Sequence, residues 1–447
     1  MTRDSDSVLR EDIINESFIK DVIKKRYGEK KILCSYKSKV GTEKGDNFVG
    51  DLIACEIKVK DQERNEEQIL HWMLKTMKVG KGSKAIQEMN LFSREEAFYT
   101  QFQNDLDKYI KPNLLRIVPL IHSVNEVNRE VLVFENLNAL DYETPINKKK
   151  GFDDNHVHSV CKWLAELHGA AYVLFQRYPG GYAEWKNNNF FYKYLGDENF
   201  EKFFDTMPRD IENILNNLMN GSDNDALIES FKSSINDFFN EDSDHISIAT
   251  KIKERIYNSR SDFKTLCHGD PWFNNMMFKY DDAKKVKDVI LLDMQIIYSG
   301  NIGADLAYFL YSSVTSEDLS NKLDSYLEYY RKCLISFVNE IDPDIRVGLT
   351  FEDVKIDFLK SSLIGILFAM NIFPLIIVEK KDVPNIDFVD MDFSNPEDIE
   401  KFSKEMNIHA KKLIQGDPYL YSRIIGIIRF FIESNAFDYM KKSTNHV

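Results

Sequence analysis

Three oxygen-bearing side chains stand at telling intervals in the second half of the chain: Asp270, Asn275 five residues later, and Asp293 eighteen residues beyond that. Asp270 lies in Cys267-His268-Gly269-Asp270-Pro271-Trp272-Phe273-Asn274-Asn275, where the glycine permits a tight turn. Asp293 follows Val289-Ile290-Leu291-Leu292, an apolar run that reads as a short buried strand presenting a carboxylate where it ends. Transfer of a γ-phosphoryl group needs a carboxylate near the acceptor hydroxyl and oxygen ligands that hold Mg²⁺ against the triphosphate. Asp270 suits the first role. Asn275 and Asp293 suit the second, because Mg²⁺ is a hard ion that usually takes only one or two carboxylates, with phosphates and water completing its shell. Each piece alone reads as a turn or a strand-end cap, but the order and spacing together favour the chemistry.

The stretch His268-Gly269-Asp270-x-Trp272-x-Asn274-Asn275-x-Met277-Phe278, then Leu292-Asp293-x-Gln295 and Asp305-Leu306-Ala307-Tyr308-Phe309-Leu310, resembles the ecdysteroid kinase-like family. That family is similar to choline kinases and aminoglycoside phosphotransferases. The resemblance implies an α+β, two-lobed protein-kinase-like fold, with a small β-rich N-terminal lobe and a large, mainly helical C-terminal lobe. It also implies ATP and Mg²⁺ as cofactors and a hydroxyl of a small molecule as acceptor, which in the founding members is an ecdysteroid. Asp293-Met294-Gln295 departs from the family's Asp-Phe-Gln, a change that Met absorbs by filling the Phe space softly.

The elements that must position these groups follow from pattern. Apolar residues from Val8 to Ile23 recur at helical intervals and stop near Gly28, which predicts an accessory N-terminal helix. Strands are expected from Ile32 to Met77. The Gly-bearing turn Gly41–Gly50 contains Gly45-Asp46-Asn47-Phe48; glycine there allows close approach to phosphates, though an ordinary hairpin fits equally. The family resembles this stretch, which makes Gly45 and Asn47 nucleotide-binding candidates.

Lys75 lies inside the apolar strand Gln68–Met77, where a lysine must snorkel out or find an anionic partner. Kinases use such a lysine for the α/β-phosphates and hold it with a Glu on the next helix. That helix is expected from about Ser83 to Phe102, and Glu95 is the candidate partner, with Glu96 the neighbour it could be confused with. Strands at 117–122 and 130–134 lead to Glu135-Asn136-Leu137. In a two-lobed kinase the chain crosses between lobes here, so Glu135 and Leu137 are candidates to bond the adenine edge through their backbone. The family usually has Asp at Asn136. The expected division is 1–137 as ATP-binding lobe and 138–447 as catalytic and acceptor-binding lobe.

His268 and Asp305 are read as structural support: Asp305, near the start of a helix, can cap exposed N–H groups or brace the catalytic loop. His168 reads as a core histidine beside that loop. Asn147-Lys148-Lys149-Lys150 reads as an exposed loop, Phe190–Tyr194 as core or acceptor pocket, and Met391–Asn395 as a loop that can border the acceptor site. Residues 317–440 should be largely helical. The most hydrophobic run, Leu363–Val378, is interrupted by Asn371 and Pro374; it is too short to span a bilayer and predicts a buried helix broken near Pro374.

Composition narrows the function classes. The chain has 58 Lys plus Arg against 72 Asp plus Glu, a formal charge of −14, which argues against a general nucleic-acid or anionic-membrane surface. Five scattered cysteines without a CxxC pair suggest neither a disulfide framework nor a zinc site. No secretory signal is recognisable at the N-terminus, and a cytoplasmic location with no membrane insertion and no obligate protein partner is expected. The partner is then a small-molecule hydroxyl acceptor, on family resemblance a steroid. Choline, ethanolamine, an aminoglycoside or a xenobiotic are alternative acceptors, and a catalytically silent ligand-binding relative is the alternative from another class. Retention of Lys75, Asp270, Asn275 and Asp293 weighs against the silent reading.

Overall fold

The structure of the protein, a computed structural model, describes residues 10, 12–41, 50–78, 89–126, 129–145, 150–178, 180–181, 183, 185, 198–240, 247–257, 262–376, 392 and 395–441. The chain opens with α1 (Glu16–Tyr27), begun by Asn15, whose side chain accepts the Phe18 N–H, and ended at Gly28, where φ is +62°. Strands β1 (Lys31–Val40), β2 (Gly50–Asp61) and β3 (Glu66–Met77) follow. Then come α2 (Leu91–Ala97), a π-helical turn (Phe98–Phe102) and α3 (Gln103–Tyr109), with β4 (Leu120–Glu126) and β5 (Arg129–Glu135) completing one antiparallel sheet in the order β1-β2-β3-β5-β4.

Strand alternation gives this sheet two different faces. Ile53, Ile57, Trp72, Leu74, Val131 and Val133 pack with Phe18, Ile19, Val22 and Ile23 of α1 into one closed layer. At roughly 1.5–3 kcal/mol per fully buried large apolar side chain, α1 seals the sheet's outer face and leaves the other for the site. Residues of that second face, Leu132 and Phe134 among them, join the larger core shared with the helical remainder.

That remainder begins with the short β6 (Tyr142–Glu143) and the buried α4 (Asp154–Arg177), and continues through α5 (Glu198–Leu218), α6 (Asp225–Asn240) and α7 (Ile248–Tyr257). Next are β7 (Leu266–Cys267), the hairpin β8 (Met276–Tyr280) and β9 (Val286–Leu291), and β10 (Tyr298–Ser299). Helices α8 (Ile302–Ser313), α9 (Ser316–Ile341), α10 (Phe351–Lys360), α11 (Ser362–Ile376), α12 (Pro396–Gly416), α13 (Pro418–Glu433) and α14 (Ala436–Lys441) close the chain. The architecture is the two-lobed, kinase-like α+β fold.

Two details differ from the sequence expectation. Helix α11 runs through Pro374 to Ile376 instead of breaking there, since a proline in the last turn forfeits only one backbone bond. The helix expected to stop near Phe102 continues, after its π-helical turn, to Tyr109. Among the described residues no helix is long and apolar enough to cross a membrane.

Candidate functional site

Lys75 is the junction of the site. Trp72 and Leu74 point into the layer beneath α1, so Lys75 leaves the cleft-facing side of β3. There its Nζ donates to Glu95 Oε2 at 2.6 Å and to Asp293 Oδ1 at 2.8 Å. Burial pulls the ammonium's pKa down, but the charges of Asp293 and Glu95 outweigh it and hold the value above that of an ordinary lysine. Burial likewise pushes Glu95 up, to about 7, against the pull of Lys75. The backbone N–H of Met294 also faces Glu95 and favours its ionised form, which sets α2 against the residue after Asp293. Glu96 turns outward to Asn125, whose Nδ2 donates to it at 2.7 Å, so Glu95 is the one brought to Lys75.

Asp270 faces the same space. Asn275 Nδ2 donates to its Oδ2 at 2.8 Å and to its backbone oxygen at 3.1 Å. The Tyr308 hydroxyl and the Trp272 indole N–H lie beside this carboxylate and favour its ionised form. Burial and the neighbouring charge of Asp293 nonetheless raise Asp270 to about 7. Sequence reasoning assigned Trp272 and Tyr308 no role, although Tyr308 lies three residues after Asp305 and hence on the same helix face.

The loop carrying Asp270 is over-determined. Gly269 has φ +88°, and a Cβ on it would lie 2.5 Å from Ile296 O, so both conformation and space require glycine. Asp305, on α8, accepts the His268 N–H at 2.6 Å on Oδ2 and the Gly269 N–H at 2.9 Å on Oδ1. It thus braces the loop that carries Asp270, while the cap of α8 is Asn301, whose side chain accepts the Gly303 N–H at 2.9 Å. His168 stands behind it, with Nε2 3.1 Å from Asp305 Oδ2 and Nδ1 2.6 Å from the Tyr330 hydroxyl. His168, Cys267 and Asp305 bring potential ligand atoms within 4.8 Å of one another, but both oxygens of Asp305 are spent on the loop.

His268 links the two acidic positions. Its Nε2 donates to Leu292 O at 3.0 Å, next to Asp293, and its Nδ1 accepts the Asp270 N–H at 3.2 Å. This needs a neutral ring, and burial lowers the His268 pKa accordingly. Leu292 N donates to Asn275 O at 2.8 Å, so the β8–β9 hairpin fixes Asn275 and Asp293 side by side. Asp293 itself adopts φ +68°, uncommon for a residue with a side chain and a feature of strained functional positions.

After β5 the chain turns through Glu135, Asn136 and Leu137. The Asn136 N–H donates to His71 O at 2.9 Å, and its Oδ1 accepts the Asn138 N–H at 3.0 Å. The asparagine therefore caps the following turn as an aspartate would. A cavity of about 580 Å³ opens beside this crossing, with Val40, Gly41, Ala54, Met73 and Asn136 among its walls. Gly45 and Asn47 lie outside the described residues, as do Asn147–Lys149, Phe190–Tyr194 and Met391.

The carboxylates of Glu95 and Asp293 share the ammonium of Lys75, the carboxylate of Asp270 lies near that of Asp293, and the amide oxygen of Asn275 adds a neutral donor. An all-oxygen, anion-rich set of this kind suits a hard divalent cation. Comparison with curated proteins returns no match. The model of the ecdysteroid kinase-like family does match, from residue 44 through residue 342, a span that covers more than half of the chain and takes in both walls of the cleft: the chain belongs to the ecdysteroid kinase-like family.

Proposed function

We propose that the protein is an ATP- and Mg²⁺-dependent small-molecule kinase that transfers the γ-phosphoryl group to an alcohol hydroxyl of an ecdysteroid. Family membership supports the kinase-like phosphotransferase part of this reading. The observation that carries the rest is the pair of hydrogen bonds from Lys75 Nζ to Glu95 and Asp293, with Asp270 turned to the same space. In this reading residues 1–137 form the nucleotide lobe and residues 138–447 the catalytic and acceptor lobe.

Each residue then has a task. Lys75, braced by Glu95, holds the phosphates, and the backbone of Glu135 and Leu137 meets the adenine edge. Gly45 and Asn47 belong to the turn that covers the phosphates. Asn275 and Asp293 hold magnesium, which when bound neutralises charge on the phosphate oxygens. Asp270 orients the acceptor hydroxyl and takes its proton as the new O–P bond forms. The old bond to the bridging oxygen breaks, and ADP leaves with the electron pair. A base with a pKa near 7 is well matched to that step. His268 and Asp305 keep the loop in place.

For the acceptor, Tyr308 offers a hint: its ring stacks on that of Phe368 at 4.9 Å, and Phe368 is partly exposed. An apolar ring next to the base suits an alcohol with a bulky apolar body. The test is transfer from γ-labelled ATP to a panel of ecdysteroids, choline, ethanolamine, aminoglycosides and hydroxylated xenobiotics, with and without Mg²⁺. Transfer to an ecdysteroid supports the full reading, whereas transfer to another alcohol keeps the mechanism and replaces the substrate. Absence of Mg²⁺-dependent nucleotide binding would sink the reading altogether.

A further inference from the structure

We propose that Arg423, on α13, is a positioning residue of the site: it holds the C-terminal end of α8, and through α8 it sets Asp305 and Tyr308 against the loop that carries Asp270. The inference rests on the phosphotransfer reading above. Helix α13 lies outside the span that the family's model matches, and Arg423 reaches α8 from 111 positions along the chain.

A helix leaves the carbonyls of its last turn without intrahelical donors. Every residue of α8 from Ile302 to Ser313 is buried, so those carbonyls depend on donors from elsewhere in the protein. Arg423 is one source: its Nη2 donates to Ser312 O at 2.9 Å and to Val314 O at 3.3 Å. The Phe152 N–H is another, donating to Ser313 O at 2.9 Å. Arg423 is itself only 4% exposed. Burial lowers its pKa to about 10, so it stays a cation at neutral pH, and a buried cation is best tolerated where it meets the negative end of a helix.

Three residues on one face of α13 converge on this end of α8. Gly426 and Phe430 stand three and seven positions after Arg423, hence on its side of the helix. A Cβ on Gly426 would lie 2.1 Å from Ser316 Oγ, so glycine lets α13 come down on the start of α9. The Phe430 ring meets Tyr311 of α8 edge-on, with centroids 5.7 Å apart. At the opposite end of α8, a Cβ on Gly303 would lie 2.1 Å from Asp357 O of α10. The helix is thus stopped at both ends, and Asp305 and Tyr308 lie between the stops. Asp305 accepts the His268 and Gly269 N–H groups at 2.6 and 2.9 Å, and Tyr308 lies beside Asp270. Phe152, the other donor to the end of α8, stacks on Phe273 at 4.6 Å, two residues before Asn275. Release of the α8 end by loss of Arg423 therefore reaches both the Asp270 and the Asn275 sides of the loop, where a misplacement of about 1 Å costs about 10²-fold in rate.

The test is steady-state kinetics together with amide hydrogen exchange on the full chain. Arg423→Met keeps an unbranched apolar stem and removes the donors; kcat should fall at least about tenfold, with KM for ATP and Mg·ATP affinity within about twofold of the parent. Exchange at the His268 and Gly269 amides should quicken at least about tenfold relative to α4, whereas a general loss of stability would quicken both alike. Both Arg423 bonds leave one nitrogen, so a lysine ammonium can replace them, and Arg423→Lys should bring kcat back to within about threefold of the parent. Adding Arg423→Met to Asp305→Asn should cost less than the two single effects combined, because both act through the same loop. Should Arg423→Met fail to fold, Arg423→Gln carries the same expectations. A folded variant with the parent's kcat and the parent's exchange at His268 and Gly269, or one whose exchange quickens equally in α4, overturns the inference and leaves the kinase reading intact. A parent that transfers phosphate to no acceptor counts against the kinase reading, and exchange then decides the inference by itself.

Discussion

Tyr308→Phe should move the acid limb of the pH–rate profile upward. Asp270 must be ionised to accept the hydroxyl proton, and burial together with the charge of Asp293 raises it to about 7, so activity should rise with pH through that region. The Tyr308 hydroxyl bonds the ionised form and holds the value down; removing it favours the protonated form and raises the pKa. A hydrogen bond to a charged group contributes roughly 1.5–3 kcal/mol. Because Asp270 retains some exposure and water replaces part of the loss, the low end applies, which corresponds to about one pKa unit. At pH 7 the ionised fraction then falls from about one half to about one tenth, so kcat/KM should drop about fivefold and recover near pH 9. Phenylalanine keeps the stack on Phe368. The assay is kcat/KM for the acceptor from about pH 5.5 to 9.5 at saturating Mg·ATP for both enzymes, so that the metal's influence cancels in the comparison. A folded variant whose acid limb stays put, or moves down, refutes Asp270 as the titrating base held by Tyr308.

Lys75→Met should lower kcat/KM by about 10² or more, because phosphate positioning and charge stabilisation are lost together. The same change leaves Glu95 buried without its cation and should cost about 3 kcal/mol in urea unfolding. Since Glu95 titrates at about 7 in the parent and higher once Lys75 is gone, that loss should grow as pH rises above about 7 and be smaller below it, where the carboxyl is protonated in both folded proteins. Gly269→Ala meets Ile296 O at 2.5 Å in a φ +88° conformation and should destabilise by at least about 2 kcal/mol, read from the shift in the denaturation midpoint. Asp305→Asn gives the His268 and Gly269 N–H groups a weaker acceptor; kcat should fall at least about tenfold while KM for ATP changes little, a split visible in steady-state kinetics.

Much of the fold was legible because its signals are local. Gly28 marks the end of α1 by its backbone angle, whereas the start, capped by Asn15, falls later than the apolar rhythm from Val8 implied; the alternation in Leu52–Lys60 and Gln68–Met77 marks both strands and the face each residue joins. Glu95 stood out from Glu96 by its interval from Phe92 and Phe98, and burial of that face sends Glu96 to Asn125 instead. The contacts of Tyr308 and Trp272 with Asp270 were less legible, because Tyr308 reaches the loop only once α8 docks against it, 38 positions along the chain. Pro374 misled because its effect depends on where the helix ends, and the continuation to Tyr109 because a π-helical turn shifts the phase of the apolar pattern without ending the helix.

The most direct test of the central claim is phosphate transfer from γ-labelled ATP to the accepting alcohol by the parent protein and by Asp270→Asn, with Mg·ATP affinity measured on both. The expected result is transfer by the parent, a loss of at least about 10³-fold in the variant, and nucleotide affinity preserved within a few-fold. Equal transfer by the two proteins would contradict the account.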